Sequence, residues 1–70
     1  MTKEQALEFA AKKVNVCPDL FVVVKDAGFK GVLCAMQNNQ LYTVQYDREF
    51  DCEPTVLVTD LVNLKVEKVY

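Results

Sequence analysis

Four carboxylates occupy every second position of the segment YDREFDCEP: Asp47, Glu49, Asp51 and Glu53, with Arg48, Phe50 and Cys52 between them. Three chemistries could use acids at that spacing. A calcium loop of the EF-hand kind takes acids at its first, third and fifth positions, which Asp47, Glu49 and Asp51 supply. It then needs a glycine at the sixth position and a bidentate glutamate at the twelfth, where this chain has Cys52 and Val58. A catalytic carboxylate pair needs other groups to share acid and base roles, and the chain has no histidine and no serine. Histidine-dependent nucleophilic triads and histidine-ligated metals are thereby excluded. Gly28 and Gly31, the two glycines, make no phosphate-cradling loop. The third chemistry is electrostatic docking. If residues 47 to 53 are extended, the four carboxylates share one face at ~6.6 Å intervals over ~20 Å, with Phe50 and Cys52 turned inward. Such a row suits a basic surface, and its spacing approximates every second phosphate of a nucleic-acid strand. Tyr42 and Tyr46, which alternate onto one strand face, join the row as candidate partner-contact residues. No enzyme activity, metal or cofactor is expected.

The composition sets the class in which this row must work. Eight bases against 10 acids give a net charge of −2. Lys3, Lys12, Lys13, Lys25, Lys30, Arg48, Lys65 and Lys68 are scattered, so no basic run marks a nucleic-acid or membrane footprint. With 51% hydrophobic and 26% charged residues the chain has a globular balance. Its longest apolar run, Leu20 to Val24, falls far short of the ~20 residues that span a bilayer, and no secretory signal is evident. Cys17, Cys34 and Cys52 form no C-x-x-C pair and no even set. They read as reduced thiols of a cytoplasmic protein, Cys34 as a small core residue. Seventy residues make one domain, 1–70, with a thin core that a partner or self-association would support.

The elements that position these residues follow from local pattern. Residues 2 to 14 read as a helix that ends near Asn15, because Pro18 disfavours helical geometry before it. Thr2 and Gln5 make a capping box, and Ala6, Leu7, Phe9, Ala10 and Val14 share one apolar face. FVVVK, residues 21 to 25, is apolar on both sides and suits a central strand. GVLCAMQ-NN-QLYTVQY predicts a hairpin with a type I′ turn at Asn38 and Asn39. That register pairs Gly31 with Tyr46, Leu33 with Val44, Ala35 with Tyr42 and Gln37 with Gln40. One face then carries Leu33, Ala35, Tyr42, Val44 and Tyr46, the other Val32, Cys34, Met36, Leu41 and Thr43. TVLVT makes a further strand, TDLVNL a single 3₁₀ turn, and KVEKVY a half-buried final strand. The fold class is α+β: a helix on a small, curled antiparallel sheet of about five strands over residues 20–69.

From Leu20 to Val69 this order resembles an SH3-like barrel of the Tudor or KOW kind. The matching parts are a strand, a glycine-containing turn, the long hairpin GVLCAMQNNQLYTVQYD, a loop, TVLV, a turn at DLVN and LKVEKV. The resemblance implies a sheet that closes on itself. It does not extend to polyproline binding, since the chain has no tryptophan. Three functions are compatible. The first is a small inhibitor of the phage or mobile-element sort, docking its acidic row on a larger host protein or nucleoprotein with a basic surface. The second is a nucleic-acid-binding barrel in which Lys25, Lys30, Lys65 and Lys68 converge beside exposed Tyr42 or Tyr46. The third is a homo-oligomer, a homodimer being the simplest, that buries a spare apolar sheet face.

Overall fold

Helix α1 (Lys3–Val14) opens with the expected capping box. The Thr2 hydroxyl oxygen accepts from the Gln5 backbone N–H at 3.2 Å, and the Gln5 side-chain oxygen accepts from the Thr2 N–H at 2.9 Å. Asn15 ends the helix in the left-handed region, φ 54°. These details come from a computed structural model that describes every residue, Met1–Tyr70. Ala6 and Ala10 are fully buried, and their short side chains let the helix lie close to the sheet beneath it. A 3₁₀ turn, Pro18–Leu20, then redirects the chain.

Five strands follow: β1 (Val22–Ala27), β2 (Lys30–Gln37), β3 (Gln40–Asp47), β4 (Thr55–Asp60) and β5 (Lys65–Lys68). They form one antiparallel sheet in chain order, β1-β2-β3-β4-β5. The central hairpin has the anticipated register, with Asn38 and Asn39 at φ 53° and 62° in its turn. Its inner face, Leu33, Ala35, Tyr42, Val44 and Tyr46, is buried together with Val56 of β4 and the two helix alanines. A smaller cluster joins Val16, Ala35 and Tyr42.

Four expectations need correction. The sheet is open, β1 and β5 lying at its two edges, so no barrel closes. Helix α1 already covers the inner face, and burial of Leu33, Val44 and Val56 does not require the edges to meet. FVVVK supplies an edge strand rather than a central one, and every residue of β1 is exposed. A bulge between Val23 and Lys25 breaks its register with β2, a device that blunts an edge. β5 is also exposed throughout rather than half-buried, and the expected 3₁₀ turn before it is a plain turn. There the Asp60 carboxylate accepts from the Val62 and Asn63 N–H groups at 2.9 and 3.1 Å.

Candidate functional site

The acidic segment is not extended through residues 47 to 53. The chain bends at Arg48–Phe50, directly after β3. Asp47 causes the bend: one of its carboxylate oxygens accepts from the Glu49 N–H at 2.8 Å and from the Phe50 N–H at 3.0 Å, an Asx turn. The Phe50 and Glu49 N–H donors hold the Asp47 carboxyl below its ordinary pKa. The Met1 amino group donates to the backbone oxygens of Asp47 and Phe50, each at 2.8 Å. With Asp47 occupied in this way, the regular row of four carboxylates does not form. Phe50 and Cys52, expected inward, are both exposed, Phe50 at 66%.

Arg48 is drawn away from the acids that neighbour it in sequence. Its Nε lies 2.8 Å from an Asp26 carboxylate oxygen, its Nη1 donates to the Gly28 carbonyl at 2.8 Å, and its backbone N–H donates to Phe29 at 2.9 Å. Glu49, Asp51 and Glu53 are exposed. Glu53 meets the Tyr70 side chain, and that hydrogen bond raises the Tyr70 phenol above its ordinary pKa.

Tyr42 and Tyr46 sit in the core and offer no ring to a partner. The Tyr42 hydroxyl donates to the Gln40 side-chain oxygen at 2.7 Å, and the Tyr46 hydroxyl lies 3.4 Å from the Asp26 carboxylate. Burial first, then the Asp26 charge, pushes the Tyr46 phenol up. No group of three histidine, cysteine, aspartate or glutamate side chains converges as a metal site would require. No helix is long and apolar enough to cross a membrane.

The largest uncovered feature is the sheet face opposite the helix. Register places Val22, Cys34, Thr43, Leu57 and Lys68 in one row across all five strands. The next row holds Met36, Leu41, Thr59 and Val66. Met36 and Val66 are each 64% exposed. Leu20, Val22, Cys34, Met36 and Leu41 line an apolar groove of about 320 Å³ near the Asn38–Asn39 turn. At that same end the β4–β5 turn exposes Val62 and Leu64, and the Leu61 N–H donates to the Asn39 carbonyl. At the opposite end Phe29, Lys30, Asp47, Cys52 and Glu53 border a second, polar groove of about 190 Å³. The face is therefore apolar toward the turns and charged toward the acidic loop. Lys25, Lys30 and Lys68 project from it, against the single carboxylate of Asp47. Lys65 lies opposite Asp60 on the helix side, so three of the four anticipated lysines share a face, without the tyrosines.

Sequence reasoning found both hairpin faces but assigned the partner role to the loop. The signal for the outer face was present in Val32, Cys34, Met36 and Leu41, apolar residues on the side that the helix leaves bare. Compared with known protein families, curated proteins and solved structures, the chain finds no match.

Proposed function

We propose that this chain is a small non-catalytic interaction protein that docks on a larger protein through the open face of its sheet. The observation that carries the reading is the missing layer. Helix α1 covers one side of five strands, while the other side leaves Val22, Met36 and Val66 more than half exposed. The lack of histidine and serine supports a role in occupying a surface rather than transforming a substrate. Within this proposal the chain acts in the cytoplasm, in the manner of small inhibitors that phages and mobile elements direct against host machinery. The test is capture from the native cell extract by tagged variants. The partner should be retained by the wild type and by Glu49→Gln/Asp51→Asn/Glu53→Gln, and lost by Met36→Glu/Val66→Glu. Retention by the sheet-face variant would overturn the proposal.

A second reading keeps the acidic loop as the docking element for a basic surface. It is favoured by the capture of Arg48 by Asp26 and Gly28, which leaves Glu49 and Asp51 without an adjacent cation. It predicts the opposite pattern: loss on loop neutralisation, with weaker binding as salt rises.

A further inference from the structure

Independently of the sheet face, we infer that the free edge of β5 pairs with the same edge of a second copy, antiparallel about Val66, so that two five-stranded sheets join into one. The first observation is the direction of the backbone groups. The Val69 N–H donates to the Val56 carbonyl at 2.8 Å, and the Val56 N–H donates to the Tyr70 carbonyl at 2.9 Å. Groups that bond a neighbour alternate along an antiparallel strand, so Lys65 and Glu67 also turn theirs toward β4. The N–H and C=O of Val66 therefore face outward. The register of β5 on β4 runs without a shift from Lys65 to Lys68, which leaves this edge regular. The β1 edge is not equivalent, because the bulge between Val23 and Lys25 breaks its alternation.

The second observation is charge. Outward groups bond only outward groups, so a two-fold pairing of β5 must set even-numbered residues opposite even-numbered ones. Centring it on Val66 places Lys65 opposite Glu67 of the second copy, and Glu67 opposite Lys65 of the second copy. Centring it on Lys65, Glu67 or Lys68 instead sets that residue's charge against its own copy. Neither Lys65 nor Glu67 is used within the chain, whose one salt bridge joins Arg48 to Asp26. Both lie on the helix side of the sheet, where Asp60 stands opposite Lys65, so each Lys65 gains a carboxylate on the strand at either side. On the outer side Val66, more than half exposed, meets Val66 of the second copy, and the two exchange both backbone hydrogen bonds. The two Lys68 residues stay ~13 Å apart along the strands. An edge of this length buries far less than the ~800 Å² per partner of a standard interface, so the dimer is of the weak, transient class. It leaves the outer face of the sheet uncovered.

The experiment follows sedimentation and amide hydrogen exchange of the full chain from about 10 µM to about 1 mM. The average mass should rise toward that of a dimer, and the Val66 amide, solvated in the monomer, should gain protection in step with it. Val66→Pro removes only an outward N–H, a change that edge strands tolerate, and should leave a folded chain that stays monomeric. Lys65→Glu and Glu67→Lys should each weaken self-association about 10-fold, because each sets like charges opposite one another twice. Mixed together, the two variants should pair as well as the wild type does, a rescue that misfolded chains could not give. A monomer throughout the range, a dimer that persists in Val66→Pro, or mixed variants that fail to pair would overturn the inference. So would a dimer that Met36→Glu dissociates and that leaves the Val66 amide unprotected, since the second copy would then lie on the outer face.

Discussion

Gly31 stands opposite Tyr46, and a Cβ built at that position overlaps the tyrosine ring. Gly31→Ala should therefore cost about 1–3 kcal/mol in urea unfolding, because the buried ring cannot move without disturbing Leu33 and Val44 around it. Leu64 presents the reverse case. It holds a left-handed backbone, φ 54°, with its side chain 80% exposed. Leu64→Gly should raise stability by about 1 kcal/mol, since it relieves the backbone and removes little packing. The titrating groups make two opposite pH predictions. Asp47 and Asp60 have depressed pKa values, held by N–H donors in their turns and, for Asp60, first by the Asn63 side chain. Their contribution is complete above the ordinary carboxylate pKa of about 4 and is lost as pH falls through the depressed values. Asp47→Asn/Asp60→Asn should flatten that acid limb of the urea-midpoint profile. The raised pKa of Tyr46 favours its neutral phenol. That contribution is complete below the ordinary tyrosine pKa of about 10 and is lost as pH rises through the raised value, an alkaline limb that Tyr46→Phe should reduce.

At the scale of elements, the features written in adjacent residues were legible. The Thr2–Gln5 capping box and the Asn38–Asn39 hairpin depend on contacts a few positions apart, and both form as read. Thr2→Ala should cost about 1 kcal/mol in thermal unfolding. Place within the sheet was not legible, because the run Val22–Val24 states a strand but not its neighbours. The acidic segment failed for a different reason. Alternating acids have the period of a strand, but aspartate also competes for nearby backbone N–H groups, and Asp47 takes two of them. That local bond bends the chain and leaves Phe50 in solvent. Arg48 was anticipated beside the acids and instead fastens the end of β3 to the β1–β2 turn. That pair is over a third exposed on both sides, so Arg48→Ala should cost less than about 1 kcal/mol.

The whole molecule is two layers where its sheet could support three. Only 11 of 70 residues are buried, and the hydrophobic ones gather on the helix side of the sheet. The apolar outer face is the direct result of a hairpin whose alternating residues are hydrophobic on both sides, a property visible in GVLCAMQNNQLYTVQY before any fold was known. What the sequence could not state is which side the helix would take, because that depends on α1 meeting β3 across the sheet. Once α1 settles there, Met36, Leu41 and Val66 are left without a covering layer. Met36 on the face and Phe50 on the acidic loop are almost equally exposed in the free chain, at 64% and 66%, and both side chains report hydroxyl-radical oxidation. Footprinting with and without the captured partner therefore tests the docking face directly. Protection of Met36 with Phe50 still reactive is the predicted result; protection of Phe50 with Met36 still reactive would contradict it.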